Sequence, residues 1–508
     1  MSSVVWATYK RAYRNAIKSE CKIGYQKNYT PDEKHERTVQ MALNDNSLTR
    51  DEKLAVIKML NKDYDCFKIR SNEGTKRICE NCHDECLATL YCEHCVQNYL
   101  KKNFSNWSSK NDDIDNLIQK CQMETFTPDS IVEWIPYDNL QGVNYLTEGG
   151  YSKIYTAIWI GGRYNEWDSK EKQLTRLGNH HVILKELDNV ENADRRWFEE
   201  SKSHLTISSK WEGVAQCFGL TKNPTSKNIM LVMIRMVTDL RTYLKQYHND
   251  LTWNKRIQIA FDIIDGIDSI HREKAIHRDL HSGNILLEYN QSFCISDLGF
   301  CGPVDKPLNS VYGNLPYIAP EVITSNGEKY TYASDIYSIG ILLWEISSGQ
   351  PPFADFDYNY DLAMKIVEEM RPIIISETIP LEYEKLMKQC WNADLTKRPD
   401  ASTLWSKIRN LSFQNYQFES QKLNNSIDLI SKNYTSSTYQ FKNFPEPKNA
   451  TEEEQEAFHS KPYSFNIPYT IETIDNSSNE KNINTKSSNI YKSKNLLLKS
   501  NTFYYYQT

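Results

Sequence analysis

The chain has 508 residues, about three times the length of a typical domain, so its length predicts two or three structural units. Hydrophobic residues make up 39% of it, and no apolar run approaches the roughly 18 residues that span a bilayer, which excludes a membrane-embedded protein. The formal charge of −6 argues against nucleic acid as a partner. Because the N-terminus has no signal-peptide pattern, we expect a cytoplasmic protein, with the nucleus as the alternative.

The first part of the chain, residues 1–75, predicts a helical N-terminal segment. Thr49 and Glu52 form a capping-box pattern, in which each side chain can bind the backbone N–H of the other residue. Apolar residues then recur at helical spacing. This pattern predicts a short amphipathic helix over residues 50–62.

Five of the 12 cysteines fall between positions 79 and 95, and four of them form two C-x2-C pairs. These four are Cys79, Cys82, Cys92 and Cys95. Two such turns can complete a tetrahedral all-sulfur shell, for which Zn²⁺ is the natural ion, so residues 76–105 predict a structural zinc module. An iron centre and uncoordinated thiols are the alternatives. Cys86 lies off the pattern, and His83 and His94 are substitute ligands.

A stretch that mixes basic and aromatic residues follows the cysteines, and we interpret it as the module's own small core rather than a nucleic-acid surface.

Residues 106–139 are assigned to a linker with one short helix. From 140 to 411, strand-like stretches at 154–160, 182–184 and 229–233 precede longer helical stretches at 253–271, 333–347 and 360–370, and this order predicts a β-rich lobe followed by an α-rich lobe. Residues 412–508 contain 14 Asn and 14 Ser and no Gly, and this composition predicts a largely disordered tail, with a short helix in Thr451–Phe458.

Between positions 146 and 399 several short motifs follow one another. They are the segments 146–155 (LTEGGYSKIY), 182–185 (VILK), 276–284 (IHRDLHSGN), 297–299 (DLG), 319–321 (APE) and 397–399 (KRP). In this order and spacing they resemble the signature set of protein kinases of the tyrosine-kinase-like group, with a layout similar to the expanded kinase families of arbuscular mycorrhizal fungi. The resemblance implies an α+β bilobal fold, preceded by the zinc-ribbon-like module and followed by the disordered tail.

The resemblance implies a nucleotide site at the end of the first lobe. Gly149 keeps the middle position of the phosphate-binding hairpin, whereas Thr147 and Ser152 replace the outer glycines. Lys185 is implied to bind the ATP phosphates, with Glu200, rather than Glu199, as its ion-pair partner. The other implied nucleotide-binding residues are Leu146, Ile154, Met233, Met236 and Leu286.

The resemblance assigns the chemistry to three further residues. Asp279 orients and deprotonates the incoming hydroxyl, and Asn284 and Asp297 hold Mg²⁺. Lys185, Asp279, Asn284 and Asp297 are therefore the candidate catalytic residues. Arg278 is the type of arginine that reads a phosphate on the activation segment, where Ser310 and Tyr312 lie. Asp335 is expected to bind the backbone of the catalytic loop, and Arg398 is expected to form an ion pair with Glu321.

The function that follows is transfer of the ATP γ-phosphate to protein hydroxyls in intracellular signalling. His281 stands where serine/threonine kinases carry lysine, and Asn314 also departs from their pattern. We favour serine/threonine specificity, with dual specificity as the alternative. A pseudokinase scaffold is the second reading, because two hairpin glycines are replaced. The expected partners are protein substrates and docking proteins, and the sequence leaves the oligomeric state open.

Overall fold

The computed structural model describes residues 29–46, 48–149, 152–187, 196–303, 311–374, 379–412 and 461–463. Ser310 and the tail helix predicted in Thr451–Phe458 lie outside these residues. Within them, no helix is long and apolar enough to cross a membrane.

Two helices, α1 (Pro31–Asn44) and α2 (Arg50–Ser71), come first. The predicted capping box is confirmed, since the Thr49 N–H donates to the Glu52 carboxylate at 2.8 Å and the Glu52 N–H donates to the Thr49 hydroxyl at 3.3 Å. Helix α2 extends well beyond residue 62. The buried residues of its last turns are polar, and the Asp65 carboxylate accepts the N–H groups of Thr89 and Leu90. The sequence prediction ended too early because it relied on the spacing of apolar residues.

The cysteine-rich region has little regular structure. Strands β1 (Arg77–Ile78) and β2 (Glu85–Cys86) pair antiparallel, and helix α3 (Glu93–Asn103) follows. Helix α4 (Asp112–Met123) then follows, and the side chain of its N-cap residue, Asn111, accepts the N–H of Ile114. The short helix predicted within the linker, residues 106–139, is thus confirmed.

A six-stranded sheet forms the first lobe. Its strands are β3 (Glu133–Trp134), β4 (Leu140–Gly149), β5 (Ser152–Trp159), β8 (His180–Leu187), β9 (Cys217–Lys222) and β10 (Ile229–Ile234). Strands β6 (Tyr164–Asp168) and β7 (Gln173–Arg176) form a separate hairpin. The order across the sheet is β3-β9-β10-β8-β5-β4. Helix α5 (Arg196–Ser208) packs against it. The strands predicted at 154–160, 182–184 and 229–233 are confirmed, and their ends differ from the predicted ones by at most three residues.

The polar insert at 161–180 forms the β6–β7 hairpin, which the sequence did not predict. Trp167 meets Tyr99 of α3 edge to face, with ring centroids 5.9 Å apart, and it also packs against the cysteine cluster. Arg176 binds Glu133 with a separation of 2.6 Å between Nη2 and Oε2. The hairpin therefore fastens the cysteine-rich region to the sheet.

The second lobe is helical. Its elements are β11 (Thr238–Asp239), α6 (Leu240–Tyr247), α7 (Trp253–Arg272), β12 (Ile285–Leu287), β13 (Phe293–Ile295), β14 (Val311–Gly313), α8 (Pro320–Thr324), α9 (Tyr332–Ser348), α10 (Tyr360–Val367), α11 (Leu381–Cys390) and α12 (401–412). The helix predicted over 360–370 ends earlier, at Val367, because Glu369 adopts a left-handed backbone with φ of +69°. A further strand, β15 (Lys461–Tyr463), lies within the tail, residues 412–508.

The predicted α+β bilobal fold is confirmed. The largest buried apolar cluster fills the helical lobe, and a second one joins the sheet to α5. Helix α4 also contributes to this second cluster, through Ile114, Leu117, Ile118 and Cys121. The candidate site lies between the two lobes.

Candidate active site and cysteine centre

Three charged side chains from separate elements meet at the boundary of the lobes. Nζ of Lys185, on β8, lies 2.8 Å from Oε1 of Glu200, on α5, and 2.9 Å from Oδ1 of Asp297. Burial would lower the pKa of Lys185, but the two carboxylates outweigh burial and raise it. Burial likewise opposes ionisation of Asp297, yet the Lys185 ammonium holds the pKa of Asp297 well below its ordinary value. The ammonium and the Asp297 carboxylate are therefore both charged.

The backbone around Asp297 is held in an unusual conformation. Asp297 has φ of +58°, in the left-handed region that a non-glycine residue seldom adopts. The Leu298 N–H donates to Nε2 of His204 at 3.3 Å, and the Gly299 N–H donates to the Asp297 carboxylate at the same distance. Burial lowers the pKa of His204 to about 3, so its ring is a neutral acceptor. These contacts orient the Asp297 carboxylate.

The loop that carries Asp279 is fixed by two buried groups. Asp335, on α9, accepts the backbone N–H of His277 at 2.8 Å and that of Arg278 at 3.0 Å, as the sequence led us to expect. Nε2 of His277 lies 3.0 Å from the Ser296 carbonyl, and Nδ1 accepts the Asp279 N–H at 3.2 Å. Because Nε2 must donate and Nδ1 must accept, the ring is neutral, and burial lowers the pKa of His277 accordingly.

Asn284 and His281 both lie beside Asp279. Nδ2 of Asn284 donates to the Asp279 backbone carbonyl at 2.9 Å. Nε2 of His281 lies 3.8 Å from Oδ1 of Asp279, while Nδ1 of the same ring accepts the Gly283 N–H at 3.1 Å. Nε2 therefore carries a proton and lies near the Asp279 carboxylate.

The apolar residues implied to bind a nucleotide share one cluster under the sheet. These residues are Leu146, Ile154, Met233, Met236 and Leu286. All of them except Leu146 are buried. Cys294 belongs to the same cluster, and burial raises its pKa, so its thiol is neutral.

The two glycine replacements lie on opposite strands of the hairpin between β4 and β5. Gly149 pairs with Ser152, and Thr147 pairs with Ile154. Ser152 is buried, and its hydroxyl has no hydrogen-bond partner within the described part of the chain. A buried donor without an acceptor is costly unless a ligand supplies one.

The activation segment is tied at both ends. Nη1 and Nη2 of Arg398 donate to the two Glu321 carboxylate oxygens at 2.7 and 2.9 Å, which is the expected bidentate pair. Arg278 donates to the carbonyls of Phe300 and Pro303. Its role in reading a phosphate stays a prediction, since Ser310 lies outside the described residues. The ring of Tyr312 stacks on Phe300 with centroids 3.7 Å apart.

The four predicted cysteines converge at a second site. Their Sγ atoms all lie within 4.8 Å of one another, with 3.7 Å between Cys79 and Cys95 and 3.6 Å between Cys82 and Cys92. Sulfurs of a tetrahedral Zn²⁺ shell, with Zn–S bonds of about 2.3 Å, are separated by about 3.8 Å. Asn81 also donates from its side chain to the Cys95 sulfur at 3.2 Å. The alternative ligands His83 and His94 are not part of this group.

Comparison with known proteins identifies the class. The profile of the family described as "Protein tyrosine and serine/threonine kinase" matches residues 140–408, which is more than half of the chain. The chain therefore belongs to this family of protein kinases.

Its relatives carry names of the same kind. A serine/threonine-protein kinase/receptor of Acanthamoeba polyphaga mimivirus is 27% identical over 293 residues, which are 55% of this chain and 17% of the relative. The dual serine/threonine and tyrosine protein kinase of Mus musculus is 31% identical over 207 residues, which are 40% of this chain and 22% of the relative. The chain thus spans about a fifth of the length of these relatives.

Proposed function

We propose that this chain is an active protein kinase that transfers the γ-phosphoryl group of ATP to protein hydroxyls. The observation that carries the proposal is the buried contact of Lys185 with both Glu200 and Asp297. In this proposal Lys185 binds the α and β phosphates, and Asp297 and Asn284 bind Mg²⁺, which neutralises phosphate charge when bound. Asp279 orients the substrate hydroxyl and accepts its proton.

The residues around the hairpin fit ATP. The buried Ser152 hydroxyl has no acceptor within the described residues and lies at the hairpin that would cover the phosphates. A phosphate oxygen would satisfy it. The apolar cluster that contains Ile154, Met233 and Leu286 offers a surface for the adenine ring.

We propose serine/threonine substrates, with dual specificity as the alternative. Nε2 of His281, at the position where serine/threonine kinases carry lysine, lies 3.8 Å from Oδ1 of Asp279. A donor there can bind the phosphoryl group in transit, whichever hydroxyl accepts it. We also propose membership of the tyrosine-kinase-like group, with a layout similar to the expanded kinase families of arbuscular mycorrhizal fungi.

A catalytically weak scaffold is the second candidate function. Thr147 and Ser152 replace two glycines whose role is to let backbone amides approach the phosphates. In that case the protein would fold as a kinase and bind partners without phosphorylating them.

We propose that Cys79, Cys82, Cys92 and Cys95 bind one structural Zn²⁺. The separations between their sulfur atoms support this assignment. Four protein ligands leave no open coordination position, so the site would stabilise residues 76–105 rather than catalyse a reaction. We propose that this region docks protein partners inside the cell.

One experiment separates the kinase from the scaffold. The purified full chain, given γ-labelled ATP and Mg²⁺, should phosphorylate itself or dephosphorylated casein. Asp279→Asn should lower the rate at least about 100-fold, because the general base is lost, whereas Asp355→Asn, at an exposed position, should leave it unchanged. Equal rates for Asp279→Asn and the unaltered chain would refute the assignment of the base. Nucleotide binding without labelling by the unaltered chain would favour the scaffold.

A further inference from the structure

Strand β14, in the activation segment, has two edges, and Tyr330 occupies one of them. The Tyr312 N–H donates to the Tyr330 hydroxyl at 3.3 Å, and that hydroxyl donates to the Tyr312 carbonyl at 2.7 Å. Because backbone groups of successive residues in a strand face opposite edges, Val311 and Gly313 direct theirs away from Tyr330. The second edge of β14 is therefore open to another extended segment.

The chain's own C-terminal segment occupies that second edge. Strand β15 pairs antiparallel with β14, so that Val311 is opposite Tyr463 and Gly313 is opposite Lys461. Pro462, which has no N–H, is opposite Tyr312, the residue whose polar groups are already bound to Tyr330. The proline thus falls at the pair that needs no hydrogen bond, and the register suits this sequence.

The covered edge lies beside the candidate catalytic carboxylate. A Cβ atom built on Gly313 would lie 3.3 Å from Oδ1 of Asp279, and Gly313 has φ of +129°, a conformation that favours glycine. A peptide added to this edge would therefore pass close to Asp279. A protein substrate must reach the same place to present its hydroxyl.

We propose that the tail segment Lys461–Tyr463 is an intramolecular ligand of the β14 edge and competes there with protein substrates. The inference rests on the proposed kinase function. Residues 413–460 connect α12 to β15, and 48 extended residues can reach up to about 160 Å, so the length of the connection does not prevent docking. Because the segment is covalently attached, weak pairing suffices for substantial occupancy.

Proline substitutions in the full chain test the competition. Lys461→Pro with Tyr463→Pro removes the two N–H groups that can pair with β14, and Lys481→Pro with Ile483→Pro is the control at the same spacing in the tail. The first variant should lower KM for casein about fivefold, the factor that corresponds to one net hydrogen bond, and leave kcat and KM for ATP unchanged. A KM for casein equal to that of the control would overturn the proposal.

A cross-link tests the docking without relying on catalysis. Facing residues of a pair that lacks hydrogen bonds have Cα atoms about 4.5 Å apart, within the range for a disulfide. Tyr312→Cys with Pro462→Cys should therefore form a disulfide on mild oxidation, detected by mass spectrometry of the linked peptides, and Tyr312→Cys with Asn484→Cys should not. Equal yields in the two variants would refute the docking. A disulfide in a chain without kinase activity would refute only the proposed function.

Discussion

The ion pair that ends the activation segment shows how strongly a buried charge contact can stabilise this fold. Arg398 donates to both oxygens of Glu321 at 2.7 and 2.9 Å, and none of its side chain is exposed. The same guanidinium also donates to the carbonyls of Asn392 and Ala333. Arg398→Ala would remove these donors from two carbonyls and from the Glu321 carboxylate, whose side chain is only 12% exposed. We therefore expect it to lower the free energy of unfolding by about 3–5 kcal/mol.

A second pair of the same length provides the control. Lys385 and Glu382 are also 2.7 Å apart, but their side chains are 56% and 59% exposed, so Lys385→Ala should cost about 0.2–1 kcal/mol. At about 2–4 °C per kcal/mol, calorimetry should show a fall in Tm of about 6–20 °C for Arg398→Ala and at most about 4 °C for Lys385→Ala. Equal shifts would refute the argument that burial sets the strength of these pairs.

Three further predictions concern other parts of the chain. Cys79→Ser should reduce bound zinc below the expected stoichiometry of about one ion per chain, measured by atomic absorption, whereas Cys66→Ser, outside the cluster, should not. Ile118→Ala, at a fully buried position of α4, should cost about 2–5 kcal/mol in urea unfolding, and Leu54→Ala, at an exposed position, less than about 0.5 kcal/mol. Burial opposes ionisation of Asp129, but nearby basic side chains lower its pKa from 3.8 to about 2. The stability that Asp129 contributes is thus present above pH 3.8 and lost as the pH falls toward 2, so Asp129→Asn should reduce the pH dependence of the free energy of unfolding in this interval.

The parts of the fold that the sequence predicted are those with local signals. The strand at 229–233 and the helix that starts at Trp253 have clear apolar patterns, and both are found with nearly the predicted ends. The β6–β7 hairpin was missed because most of its residues are polar, and its few apolar side chains are buried against the cysteine-rich region and neighbouring segments. Its burial depends on contacts between distant segments, which local periodicity does not report.

In the candidate site, too, the features with local sequence signals were predicted and those that depend on distant contacts were not. Asp279 and Asn284 lie on one short loop, so their spacing alone indicated their proximity. The choice of Glu200 over Glu199 came from the resemblance, because Trp197 and Leu205 then flank it in the register of the family, and in the structure Glu199 lies 3.8 Å from Lys202 on its own helix. The contact of Leu298 with His204 could not be predicted, because nothing in the sequence distinguishes this histidine from one in an ordinary core.

The N-terminal region is built into the first lobe. Strand β3, at Glu133–Trp134, is an edge strand of the six-stranded sheet and pairs parallel to β9. The approach is close, since a Cβ atom built on Gly219 of β9 would lie 1.9 Å from the Glu133 carbonyl oxygen. The family profile begins at residue 140, after this strand. A chain cut at residue 140 would therefore leave the edge of β9 without its partner and would expose the face of α5 that α4 covers, so the kinase fold of this protein includes residues that precede the family profile.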